Sequence, residues 1–120
     1  LQLTYARAGH PYPVLLKPGT IPEQLQSRGG LLGVFDDGEF EQETVQLTPG
    51  DKLLIYSDGC DRLVGACNEQ GEFAFTDKFC SIINLPVEQM ISEFSSLAKN
   101  CTTQDGQTDD MTAVSLEILQ

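Results

Sequence analysis

Leu3-Thr4-Tyr5-Ala6-Arg7-Ala8 alternates apolar and polar positions, the period of a half-buried strand. Gly9-His10-Pro11-Tyr12-Pro13 interrupts it, since glycine relieves the backbone and each proline removes a ladder donor. Val14-Leu15-Leu16-Lys17 predicts a second strand closed by Pro18-Gly19, and the two together predict a hairpin. Residues 20–38 read as loop, through Gly29-Gly30 and Leu31-Leu32-Gly33-Val34-Phe35 to the turn signal Asp36-Asp37-Gly38. Phe40 to Leu47 alternates again and predicts a half-exposed strand. After the tight turn Thr48-Pro49-Gly50-Asp51, Lys52-Leu53-Leu54-Ile55-Tyr56-Ser57 is nearly continuous in apolar residues. That pattern marks a strand buried on both faces, and it ends at Asp58-Gly59.

Beyond a polar loop (65–75), the period changes. Thr76-Asp77 predicts the cap of a short helix through about Ile83. Pro86 suits the first turn of a second helix, in which Val87, Met90, Ile91, Phe94 and Leu97 form a core stripe. A polar loop, Thr102 to Thr108, leads through Asp109-Asp110 to a last strand, Met111 to Leu119, with Thr112, Val114, Leu116 and Ile118 alternating. Antiparallel strands with two helices make an α+β domain.

Composition narrows what such a domain does. Seven Lys plus Arg against eighteen Asp plus Glu leave a net charge of −11 over 120 residues. Nucleic-acid backbones and anionic lipid both require clustered cations, so neither is an expected partner. The chain is long enough to bury roughly two-thirds of its unfolded surface without help from disulfides or metal. No apolar run reaches membrane-span length and no signal-peptide pattern opens the chain, so a cytoplasmic location is expected. Cys60, Cys67, Cys80 and Cys101 are irregularly spaced with no Cys-x-x-Cys pair, which argues against structural zinc. They are expected to be reduced, mostly buried thiols.

Two places put carboxylates at the mouth of a core strand. Asp58 follows the apolar run, with Gly59 permitting a sharp turn, and Asp109-Asp110 precede the last strand. Carboxylates on one sheet edge suit a hard divalent cation such as Mg²⁺ or Mn²⁺. A plain turn and a solvated strand start are the alternative reading of the same residues. His10, the sole histidine, is either an acid/base group or a hydrogen-bonding member of its proline-flanked turn. Ser57 lacks Gly-x-Ser-x-Gly flanks and a partner base, so serine nucleophilic catalysis is unsupported. Gly29-Gly30 with Gly33 lacks the context of a phosphate-binding loop.

Taken in order, Ala8-Gly9-His10-Pro11-x-Pro13, Leu31-Leu32-Gly33-Val34, Leu47-x-Pro49-Gly50-Asp51-x-Leu53-Leu54-Ile55-Tyr56-Ser57-Asp58-Gly59 and Asp109-Asp110-Met111-Thr112 resemble the SpoIIE/RsbU-like bacterial branch of the metal-dependent (PPM, protein phosphatase 2C-like) serine/threonine phosphatases. The resemblance runs from about residue 3 to residue 118 and rests most on the Ser-Asp-Gly and Asp-Asp-Met-Thr blocks. It implies an α-β-β-α sandwich, of which this chain forms part, with a two-metal site of Mn²⁺ or Mg²⁺ at one sheet edge. Asp58 and Asp109 would be metal ligands, with Gly59 and Asp110 supporting them and His10 supporting the adjacent loop. His10 stands where the eukaryotic-type branch carries an acidic residue, which speaks against a third metal. Such a site activates a water that attacks phosphorus without a covalent phosphoenzyme.

The family's domain carries an earlier Asp-Gly pair whose carboxylate bridges both metals, and Asp36-Asp37-Gly38 lies in the wrong order to replace it. Residues 1–120 are therefore expected to form the C-terminal part of one phosphatase domain, with little turnover alone. Relatives act on phosphorylated STAS-type anti-sigma-factor antagonists under an upstream receiver or sensor domain, and the same is expected here. A non-catalytic interaction module of phosphatase fold is the competing function. A structural cation site in an acidic β-rich domain is a third. Exposed strand edges would favour pairing of two copies.

Overall fold

A computed structural model describes residues 1–101 and 110–120. In chain order the elements are β1 (Gln2–Ala6), β2 (Val14–Leu16), β3 (Glu23–Gln24), β4 (Gln42–Gln46) and β5 (Lys52–Tyr56). A 3-10 turn (Asp58–Cys60) and the single-turn α1 (Asp61–Val64) follow, then β6 (Gly65–Cys67), β7 (Phe73–Phe75), α2 (Asp77–Ile82), α3 (Val87–Lys99) and β8 (Ala113–Glu117).

The central layer is a four-stranded antiparallel sheet in the order β3-β2-β5-β8. Side-chain alternation on its two middle strands explains the continuous apolar runs. Val14, Leu16, Leu54 and Tyr56 face one way, joining Cys60, Val64, Phe79, Met90 and Phe94 in the larger core. Leu15 and Leu53 face the other, joining Leu25 and Leu47 with Leu3, Tyr5 and Val45 packed against them. Helices α2 and α3 thus cover one face, and the two-stranded β1–β4 sheet covers part of the other. The α+β reading holds.

Both helices form where their signals lie. Thr76 caps α2, its hydroxyl accepting from the Phe79 amide at 3.1 Å. Pro86 precedes α3, whose Met90 and Phe94 are buried while Ile91 and Leu97 pack at the margin. Phe79 is fully buried between Phe75 (ring centroids 5.7 Å apart) and Phe94 (6.4 Å). Lys52 is buried too: its ammonium donates to the Ile83 and Leu85 carbonyls at 2.9 and 2.6 Å, satisfying acceptors left at the end of α2.

Three expectations are corrected. The first two strands are no hairpin: β1 pairs with β4 (Leu3 opposite Val45), whereas β2 pairs with β3 and β5. The Gly9–Pro13 segment, with no donor at either proline, carries the chain from one sheet to the other. Residues 65–75 are more than loop, since β6 and β7 form a short hairpin. Its turn is tied by Asn68, whose Oδ1 accepts from the Gln70 and Glu72 amides. Gly65 opposes Phe75 so closely that a Cβ there would lie 2.5 Å from the Ala74 carbonyl oxygen. The four thiols are free, but only Cys60 is buried; Cys67 and Cys80 are exposed.

Candidate active site

Asp58 sits two residues past the end of β5, and Asp110 sits three residues before β8. Antiparallel pairing of Tyr56 with Ala113 brings these ends together. Ser57 fastens them. Its amide donates to the Thr112 carbonyl (2.8 Å), its hydroxyl donates to the Asp110 carbonyl (3.2 Å), and its Oγ accepts from the Thr112 amide (2.9 Å). The Cys60 thiol also reaches the Thr112 carbonyl, at 3.8 Å. Ser57, unsupported as a nucleophile, is thus a positioning residue between the two acidic segments. Asp109 lies outside the described residues.

Downstream of Asp58 the chain coils immediately, with Gly59 inside the 3-10 turn, and Asp61 opens α1. Burial, and then the negative charge of Asp58, push the Asp61 carboxyl above the ordinary carboxylate range, while His10 pulls it the other way. The Gly-His-Pro loop therefore comes within electrostatic reach of the Asp58 turn. His10 is exposed and its Nδ1 lies 3.0 Å from the Pro11 carbonyl, which favours the loop-holding reading of this residue. Burial, with Asp61 and Cys60 adding to it, raises the Tyr56 hydroxyl to about 12.

Asp58 and Asp61 line a cleft of about 620 Å³ together with Arg7, Tyr12, Tyr56 and Gln26. Asp61, Arg7 and Tyr12 carry no motif or period that marks them in the sequence as site residues, apart from the Asp58-x-x-Asp61 spacing on a helical turn. The pairing of Arg7 with Tyr12 crosses the Gly-His-Pro turn, where no periodicity reports it.

Two carboxylates on one turn fit part of a hard-cation site: oxygen donors are of the right kind, and the burial and the Asp58 charge that raise Asp61 are both what a divalent cation would offset. Among the described residues, however, no group of three or more His, Cys, Asp or Glu is placed to hold a metal.

A family model described as stage II sporulation protein E (SpoIIE) matches residues 1–119. The chain belongs to the SpoIIE family. Its fold is protein phosphatase 2C-like, as expected for the SpoIIE/RsbU-like branch. The fold is similar to that of the SiaA-PP2C domain of Pseudomonas aeruginosa, at a TM-score of 0.65 and 22% identity over 98% of this chain and 46% of that one. It is also similar to RsbX, crystallised in complex with magnesium, at a TM-score of 0.58 and 20% identity over 95% of this chain and 48% of that one. This SpoIIE-family chain therefore spans about half the length of those solved structures. No curated protein sequence matches it. Among the described residues no helix is long and apolar enough to cross a membrane.

Proposed function

We propose that the chain forms the C-terminal part of a protein phosphatase domain that hydrolyses phosphoserine or phosphothreonine on a bacterial signalling protein. The observation that carries this reading is the Ser57 tie, which holds Asp58, a residue of the cleft wall, beside Asp110 at one end of the sheet. Asp58 and Asp109 would hold Mg²⁺ or Mn²⁺, and the magnesium in the RsbX complex supports a divalent cation at such a site. When bound, the metals would supply an activated water and neutralise charge on the phosphoryl oxygens. The chain's own residues do the remaining work. Ser57, Gly59 and Asp110 fix where the carboxylates stand, His10 braces the adjoining loop, and Tyr56 keeps its proton at neutral pH.

STAS-type antagonists of anti-sigma factors, under an upstream receiver or sensor domain, are the proposed substrate and input. The cytoplasm is the proposed compartment. The described carboxylates are too few for two metals, so the 120-residue chain should hydrolyse a phosphoserine peptide little or not at all in Mn²⁺ or Mg²⁺. In the complete domain, Asp58→Asn or Asp109→Asn should abolish metal-dependent turnover. Survival of turnover in either variant would overturn the ligand assignment.

A further inference from the structure

Arg7 is the only cationic side chain lining the cleft that holds Asp58 and Asp61. Its guanidinium stacks on the Tyr12 ring, 4.5 Å from the centroid, and its Nε donates to the His10 carbonyl. Those two contacts fix the plane of the group and leave both Nη nitrogens without a hydrogen bond among the described residues. Arg28–Glu41 is the one ion pair among the described residues, and Arg7 has no carboxylate partner among them. Arg7 is half-buried on the cleft wall, in a chain of net charge −11 with seven cations in all.

A second pocket of about 520 Å³ shares Arg7, Tyr12 and Gln26 with this cleft. Ser27 lines it, 7% exposed, and its hydroxyl is the one buried side-chain polar atom among the described residues with no partner. Buried hydroxyls are normally satisfied, so an open one at a polar pocket marks a place for an incoming group. The wall between the two pockets thus offers a fixed planar cation on one side and an open hydroxyl on the other.

We propose that Arg7 anchors the phosphoryl group of a phosphorylated serine or threonine side chain, the flanking polypeptide lying in the Ser27 pocket. Planar guanidinium matches phosphate oxygens with two parallel charge-assisted hydrogen bonds, and stacking on Tyr12 orders the fork before the ligand arrives. The anchor offsets the repulsion a phosphate dianion meets from Asp58 and Asp61. This inference rests on the phosphatase reading of the cleft.

The test is calorimetric titration of the 120-residue chain with a phosphoserine peptide, its unphosphorylated counterpart and inorganic phosphate, in EDTA and then in Mn²⁺. Arg7→Ala should weaken phosphopeptide and phosphate about tenfold, the scale of one lost charge-assisted contact. Arg7→Lys should retain part of the affinity, and Ser27→Ala should weaken the phosphopeptide while leaving free phosphate unchanged. If Arg7→Ala unfolds the chain, Arg7→Gln takes its place, with the same loss expected. Wild-type phosphopeptide affinity in folded Arg7→Ala or Arg7→Gln overturns the anchor, and wild-type affinity in Ser27→Ala overturns the pocket. Mn²⁺ binding separates the two readings. Metal binding lost in Asp58→Asn, with Arg7→Gln indifferent to phosphate, rejects the anchor and spares the phosphatase site. Metal binding unaffected by Asp58→Asn, with an Arg7-dependent phosphate contact, does the reverse.

Discussion

Ser57 and Thr112 exchange two hydrogen bonds across 55 residues of chain, the Ser57 amide to the Thr112 carbonyl and the Thr112 amide to Ser57 Oγ. Through this pair the β5–β8 ladder runs one step past the strands, half by backbone and half by side chain, and Asp58 is held beside the segment that carries Asp110. Ser57→Ala removes the side-chain half of the tie. Because these groups are exposed to water, the expected loss is only about 1 kcal/mol, read as a lower urea midpoint. Ser57→Thr, which keeps the hydroxyl, should recover most of it. The larger effect should fall on the complete domain's metal affinity, since the backbone on either side of Asp58 loosens.

Tyr56 predicts an alkaline limit to stability. The folded chain holds its proton up to about 12, whereas the unfolded chain releases it near the ordinary 10.0. The contribution is therefore complete below the unfolded value and lost as pH rises through the folded one. Two units correspond to about 3 kcal/mol. Urea midpoints of Tyr56→Phe should match those of the natural chain near neutral pH and exceed them progressively above about pH 10. Parallel curves would show that Tyr56 ionises freely.

Phe79 joins the helices to the sheet, packed between Phe75 and Phe94 with no exposed surface. Phe79→Ala should cost about 3–5 kcal/mol, because the aromatic stack on both sides cannot collapse into the void. Against a total of about 5–15 kcal/mol for a domain, calorimetry should find the variant close to unfolded.

Gly29 faces the Arg7 backbone at close range. A Cβ at this position would fall 1.9 Å from the Arg7 carbonyl oxygen and 3.0 Å from Phe40 Cδ1, on either side of the Gly29–Phe40 bridge. Backbone cannot swing aside as a side chain can, so Gly29→Ala should destabilise by about 1–3 kcal/mol. It should also displace the end of β1, visible as shifted amide resonances at Arg7 and Tyr12. Gly30→Ala meets nothing within 4 Å and serves as the silent control.

How legible these features were depended on the range of the signal. The α3 stripe and the Thr76 cap are local, so spacing within a few residues sufficed to place them. Lys52–Tyr56 was readable as doubly buried because both of its faces meet a core. The partner of β1 was not, because its register with β4 is set some forty residues away by Leu3 and Tyr5 packing over Leu15 and Leu53. Strands of three residues, as in β6 and β7, are too short for alternation to register. At the site, Asp58 announced itself by ending a buried run. Arg7 did not, since its role comes from Tyr12 reaching it across a turn that neither period describes.

The two-stranded β1–β4 sheet leaves part of the central layer open: Ile55, Val114 and Leu116 remain 37%, 58% and 43% exposed, Ile55 directly opposite Val114. On a neutral molecule such a stripe would draw two copies together under any buffer. Here every approaching copy also carries eleven net negative charges. That repulsion reaches about 10 Å at 0.1 M salt and only about 3 Å at 1 M, while apolar attraction strengthens with many salts. The expected outcome is single chains in dilute buffer and pairs in concentrated salt, and light scattering across a salt series checks it; a monomer at every ionic strength would show that the stripe does not pair.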